Sequence, residues 1–506
     1  MVKKISALAL AGLIALPVMS MASGGPNVDD LERKIEELSR QLEELKSQMA
    51  NQAEVDAATS DQLSDLSDSI DDMDERADAW DLASRFRFYG DFRSRLDYYK
   101  ADTISGGTLE NDSLWTNRFR LNMRVNATEN VEFKGRLAMY KAWGMQSPFT
   151  DDSGTMWPIF DGNVTRSVND SALYVDRAYV NWNNIGGAPV WFSIGRRPTT
   201  DGPPSQIRLG EDERLATPVA YFNYAFDGLT LGYGYNWGNE ELGAGKVRFC
   251  YGRGFEDGLL IDNQINDTDF AGLNWDILDN GTRLFNFQSF GVFNAFNYPN
   301  FQDILINETF GTVSGLGERV NLGNIYHTDV VYQDKVSNLN YFVSGGWSKT
   351  SPNDNGMFND YAAMMMGLTG PNTSDENGYS LYVGVRYDLD DLGLKFGAEY
   401  NYGSEYWVAF SPAYDDIYTS KLATRGNAFE IYTIYDIPSG EAISEYGRAF
   451  IRLGYQYYDF NYSGSGDYNM RPYDLSDDMD KMTLQMMGLD PVDDAHQIYV
   501  TFEVFF

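Results

Sequence analysis

Between Arg118 and Ala127 the chain alternates two unlike sets of side chains. Arg118, Arg120, Asn122, Arg124 and Asn126 interleave with Phe119, Leu121, Met123, Val125 and Ala127. A period of two places the sets on opposite faces of one strand. Arginines cannot be buried unpaired and large apolar side chains are not stabilised by water, so the two faces need different solvents. The same alternation recurs in Phe86, Phe88, Gly90 and Phe92 against Arg87, Tyr89, Asp91 and Arg93. It recurs again in Val131, Phe133, Gly135 and Leu137 against Glu132, Lys134 and Arg136. It also closes the chain, where Ile498, Val500, Phe502, Val504 and Phe506 interleave with Gln497, Tyr499, Thr501 and Glu503.

The N-terminus suggests an address. Lys3 and Lys4 precede an apolar stretch from Ile5 to Val18, followed by small residues at Ser20 and Ala22. This order predicts a signal peptide over 1–22, cleaved after Ala22. The stretch is shorter than the ~20 apolar residues that span a bilayer, and no later run reaches that length. An exported chain without a spanning helix is either soluble or a closed barrel, because only those hide backbone polar groups from lipid. The aromatic content of 15%, with 34 Tyr and 30 Phe, favours a barrel with interfacial girdles.

Ahead of the strands the period is seven. Leu31, Ile35, Leu38, Leu42, Leu45 and Met49 form a seam. Polar residues interrupt it at Gln52, Asp56 and Thr59, and it resumes in phase at Leu63, Leu66, Ile70 and Met73. We expect an α-helical coiled coil over 27–80, then a transmembrane antiparallel all-β barrel over 84–506. So narrow an apolar stripe implies self-association, with a trimer favoured. A helical hairpin folding back on itself or plugging the barrel is the alternative.

Short turns are expected at 128–130, 183–189, 227–228, 279–281, 334–337, 390–393 and 438–441. Long polar segments are expected at 101–114, 144–170, 198–218, 238–266, 298–320, 350–377, 404–426 and 461–493. Long loops on one side and short turns on the other suit an outer-membrane barrel, and threading the chain through them gives about sixteen strands. An extra hairpin within 247–261 would make about eighteen. Either size is expected to leave an aqueous channel.

The inward set of the first three strands is basic: Arg87, Arg93, Arg95, Arg118, Arg120, Arg124, Lys134 and Arg136. The third long loop carries Asp201, Glu211, Asp212 and Glu213. An acidic loop facing a basic wall resembles general porins, and the aromatic end at Phe506 resembles the closing strand of bacterial outer-membrane β-barrels. The resemblance implies that the barrel-insertion machinery reads Phe506. It also implies a constriction loop inside the lumen and passive diffusion of small hydrophilic solutes or ions. On this reading the row Arg118, Arg120 and Arg124, with the acidic loop, sets ion preference. The expected partners are outer-membrane lipid, further copies of the chain, and peptidoglycan if the coil is a periplasmic tether.

Other chemistries find little support. Cys250 is the single cysteine and His327 and His496 are the two histidines, so no metal or haem cofactor is expected. Neither histidine heads a catalytic constellation, and no enzyme activity is expected. The net charge of -35 argues against nucleic acid. Three rivals stay open: a membrane–cell-wall tether, a barrel sheath for multihaem cytochromes, and a soluble secreted β-protein.

Overall fold

The structure is a computed structural model that describes residues 28–50, 69–70, 73, 85–144, 168, 170–197, 199–214, 216–256, 258, 265–297, 320–411, 418, 420–438, 440 and 447–506. It forms two compact units, divided at Phe86. The signal peptide expected over 1–22, and Leu63 and Leu66 of the seam, lie outside the described residues.

The first unit contains α1 (Val28–Ala50). Asp29 and Asp30 sit in its first turn, where acidic side chains offset the positive end of the helix dipole. Leu31, Ile35, Leu38, Leu42 and Leu45 run along one face, half-exposed, and Met49 lies in the last turn. The polar faces hold pairs such as Arg40–Glu37 at 2.9 Å and Arg33–Asp30 at 3.2 Å. Exposed pairs of this kind contribute little, because water and salt screen them. Ile70 and Met73 are also helical.

The second unit is a closed antiparallel barrel of sixteen strands in sequence order, β1 meeting β16. The first eight are β1 (Phe86–Thr103), β2 (Thr108–Thr128), β3 (Val131–Ala142), β4 (Tyr174–Trp182), β5 (Val190–Arg196), β6 (Asp227–Asn236), β7 (Ala244–Phe255) and β8 (Thr268–Asp279). The rest are β9 (Leu284–Phe296), β10 (Asn321–Val336), β11 (Leu339–Pro352), β12 (Asn377–Leu389), β13 (Leu394–Gly403), β14 (Gly426–Asp436), β15 (Arg448–Phe460) and β16 (Val492–Phe505). At the seam Asp91 opposes Phe505 and Asp97 opposes Tyr499. Two backbone hydrogen bonds join Gly90 and Phe506, at 2.8 and 3.0 Å. A Cβ at Gly90 would lie 2.4 Å from the Arg120 carbonyl of β2 and 3.0 Å from the Phe506 ring, so only glycine lets β1 sit this close to both neighbours.

The alternation sorts as its period requires. Ile498, Val500 and Phe502 lie exposed on the outside, while Tyr499, Thr501 and Glu503 are buried within. Leu231, Phe249, Ile431 and Leu453 are likewise exposed. An apolar exterior around a charged interior inverts the arrangement of a soluble protein.

Four expectations need correction. Asp227-Gly228 is not a turn: it opens β6, paired with Arg196 and Gly195 of β5. The preceding apolar run Val219–Phe226 is not a strand but a buried part of the loop between β5 and β6. The expected long segment 238–266 holds β7 (Ala244–Phe255), which overlaps the region left uncertain at 247–261, so one strand replaces another and the count of sixteen stands. The segment 101–114 is not a long loop either, since β1 and β2 extend through it to a tight turn at 104–107.

The interior is not simply an aqueous channel. Ile207, Val219 and Tyr221 pack with Val331 of β10, Phe342 of β11, Tyr382 of β12 and Trp407. Phe222, Phe226, Val408 and Phe410 pack with Phe270 of β8 and Val292 of β9. The loop members of these clusters lie in connections that read as polar on average, and they bury themselves against apolar residues of the inner wall.

Candidate functional site

The loop from Arg197 to Phe226 lies inside the barrel, and the sequence shows how it is held. Its entry limb carries Asp201, whose carboxylate accepts from Arg120 of β2 at 3.2 Å and Arg136 of β3 at 3.4 Å. Arg177 of β4 lies 3.5 Å away. Asp201 has φ +63°, a left-handed conformation that is uncommon for residues other than glycine. Its N–H donates to the Asn223 side chain at 3.0 Å, joining the entry limb to the return limb. At the adjacent Gly202, a Cβ would lie 1.6 Å from the Pro218 carbonyl, so the two limbs can touch only through glycine.

Beyond Gly202 one helical turn, α2 (Ser205–Arg208), leads to the tip. There every carbonyl from Ile207 to Glu211 accepts from a cation on the wall. Arg386 of β12 donates to Ile207 at 3.0 Å and Glu211 at 2.9 Å. Arg452 and Arg448 of β15 donate to Arg208 at 2.9 Å and Leu209 at 3.0 Å. Lys395 of β13 donates to Gly210 at 2.8 Å. Hydrogen bonds from charged donors contribute about 1.5–3 kcal/mol each, so this cradle fixes the loop. Side chains add to it: Glu211 pairs with Arg448, and Asp212 pairs with Arg386 and with Lys335 at 2.5 Å. Arg208 reaches back to Glu430 of β14 at 2.7 Å, which also accepts from Lys421 at 2.6 Å and Tyr499 at 2.5 Å. On its way out the loop is tied by Arg214 to Asp276 of β8 at 2.7 Å.

The eight wall residues named from sequence divide into three groups. Arg93, Arg95, Arg118, Arg120 and Arg136 are buried. Arg95 pairs with Asp97, Arg118 and Arg120 with Asp91, and Arg136 with Asp176. Arg93 lies 5.7 Å from the centre of the Tyr140 ring. Arg124 and Lys134 are more open and share Glu132 at 2.7 and 2.9 Å. Arg87 is exposed at the start of β1. Of the four loop carboxylates, Asp201 meets the wall of β2–β4. Glu211 and Asp212 instead meet β10, β12 and β15, while Glu213 is exposed. The cations that hold the tip, Lys395, Arg448 and Arg452 among them, were not among the sequence candidates. The alternation of Arg452 with the exposed Ile451 and Leu453 carried the same signal as the first strands.

His327 is fully buried, with Nδ1 2.9 Å from Asp329 and Nε2 3.0 Å from the Val408 carbonyl. Nε2 thus ties β10 to the loop after β13, while Nδ1 faces Asp329 on its own strand.

Between the loop and the wall from β3 to β9 lies a cavity of about 450 Å3. Lys134, Arg197, Arg214, Lys246 and Arg248 line it together with Glu132. Asn181, Asn274 and Gln288 supply neutral polar groups, and Trp191, Phe222, Phe226, Phe270 and Phe290 supply apolar faces.

The barrel is similar to several solved structures. OmpT of Vibrio cholerae in its trimer form is 12% identical, with 83% of this chain and 99% of that chain covered and a TM-score of 0.40. OmpF of Salmonella typhi, in complex with daunomycin, is 10% identical over 83% and 97%, with a TM-score of 0.42. OprB of Pseudomonas putida is 12% identical over 84% and 96%, with a TM-score of 0.43. No curated protein matches the sequence. A family model described as "Protein of unknown function (DUF3373)" matches residues 108–506, and the chain belongs to that family, with a closed sixteen-strand antiparallel β-barrel as its fold.

Proposed function

We propose that this protein is an outer-membrane porin through which small hydrophilic solutes or ions diffuse passively. The observation that carries the reading is a closed sixteen-strand barrel, apolar outside and charged inside, crossed by a loop held at both ends by ion pairs. Such a barrel is too wide for wall side chains alone to fill, and a fixed loop narrows it without closing it. The cavity beside the loop is the passage. Arg118 and Arg120 hold Asp91 and the loop, so ion preference falls to the cations that line the cavity. With its seam half-exposed, α1 is suited to bring protomers together as a coiled coil, in a trimer, or to reach peptidoglycan. The buried loops fill volume that a cytochrome sheath would need open, which favours the porin over that rival.

Swelling of liposomes loaded with purified full-length protein tests the reading. Small sugars and amino acids should enter faster than into protein-free liposomes, with rates falling steeply with solute size. Folded, heat-modifiable protein that leaves swelling at the protein-free rate would instead support the tether.

A further inference from the structure

The cavity beside the loop has a chemical polarity of its own. Five cations line it against one carboxylate, Glu132, which Arg124 and Lys134 already share. Arg214 and Arg248 both pair with Asp276, which is fully buried, and Arg214 also pairs with Asp279 at 3.1 Å, two carboxylates whose charge also reaches Lys246. Arg197 donates to the hydroxyls of Ser193 and Thr230, and neither it nor Lys246 has a carboxylate contact among the described residues. One-signed charge on low-dielectric walls concentrates counter-ions. The remaining wall is aromatic: Phe226 stacks on Phe270 at 5.0 Å, and Phe222 meets Phe290 edge-on at 5.0 Å. The volume of about 450 Å3 falls within the ~300–1,000 Å3 of small-molecule sites, which combine apolar walls with a few convergent polar groups.

We propose that this cavity is a selectivity site for small organic anions with an apolar body, such as aromatic carboxylates, with Arg197 and Lys246 drawing the carboxylate and the phenylalanine wall receiving the ring. The assignment rests on the porin reading for its role in transport, while the binding chemistry stands on the cavity itself. A cation entering the same space meets a net excess of positive charge, and a bare inorganic anion leaves the aromatic wall without a partner.

Cys250, the single cysteine, lines the cavity beside these cations and is partly exposed. It serves as a native probe that does not depend on conduction. Full-length protein in detergent is treated with sulfonatoethyl methanethiosulfonate or with its trimethylammonium counterpart, and the mixed disulfide is followed by mass spectrometry. Each rate is divided by that reagent's rate with a small free thiol, which removes intrinsic reactivity. The anionic reagent should be favoured by about tenfold or more, and Arg197→Gln or Lys246→Gln should each reduce that preference several-fold. Benzoate should slow modification at concentrations where acetate does little.

Equal or faster reaction with the cationic reagent overturns the proposal. So does a thiol that reacts in denatured protein alone. Equal protection by acetate and benzoate overturns the apolar-body part. A preference for the anionic reagent in protein that gives no liposome swelling would leave the site standing and remove the porin reading.

Discussion

At the scale of single residues, much depends on Asp201. Its one carboxylate is shared by three guanidiniums from three strands, and burial leaves little water to separate those charges if it is removed. Asp201→Asn keeps the shape and removes the charge. It should destabilise the barrel by about 3 kcal/mol, read as a lower midpoint for heat- or urea-driven conversion to the unfolded gel band. An unchanged midpoint would show that the clamp contributes nothing. Asp212 provides a pH dependence. Burial opposes its ionisation, but the hydrogen bond from Lys335 and the charge of Arg386 outweigh that, so its carboxyl lies below the ordinary range. A depressed folded value means that its stabilisation is present above the unfolded value near ~3.9 and is lost as pH falls through the lower folded one. Loop-dependent differences between wild type and Asp212→Asn should therefore be clear at neutral pH and vanish in strong acid. A difference that already fades around the ordinary carboxyl value of ~3.9, and not below it, would contradict this assignment. The inward parity of Arg93, Arg95, Arg118, Arg120 and Arg136 was legible from alternation. Arg95 pairs locally with Asp97 on its own strand, but the partners of Arg118, Arg120 and Arg136 were not legible, because Asp91, Asp176 and Asp201 come from other strands and a loop, and local sequence does not encode distant pairing.

At the scale of elements, the loop across the lumen was legible as acidic and not as a core. Acidic side chains make only part of its attachment, since five successive carbonyls are held by Arg386, Lys395, Arg448 and Arg452. Main-chain acceptors are present at every residue, so no motif marks the few that a wall of cations will find. Val219–Phe226 reads as a strand because it is apolar and aromatic, and those side chains are buried, but against the lumen core instead of lipid. β7 was ambiguous because three glycines, Gly245, Gly252 and Gly254, break its pattern. In two of them a Cβ would collide with an aromatic ring, that of Tyr235 at Gly245 and that of Phe226 at Gly252. For α1 the seam makes its own prediction. Leu38→Asp with Leu42→Asp places charge on the apolar stripe and should shift detergent-solubilised protein from oligomer to monomer by light scattering, with the barrel still heat-modifiable. An unchanged oligomer would place the association on the barrel wall.

At the scale of the molecule, three features support one another. The closing strand, joined to β1 through Gly90 and Phe506, removes every sheet edge. The apolar exterior requires lipid, and the charged interior requires water or partners. The loop divides that interior into a packed part and a cationic cavity, although the chain as a whole carries a net charge of -35. Local and global charge thus point in opposite directions, and the local charge is what a permeating ion meets. Single-channel recording of purified full-length protein in planar bilayers, across a tenfold gradient of potassium chloride, measures this directly. The expected result is discrete conducting events with a reversal potential of the sign for chloride preference, moved towards zero or beyond by Lys246→Glu. A folded protein that never conducts, or one that conducts with potassium preference unaffected by Lys246→Glu, would contradict it.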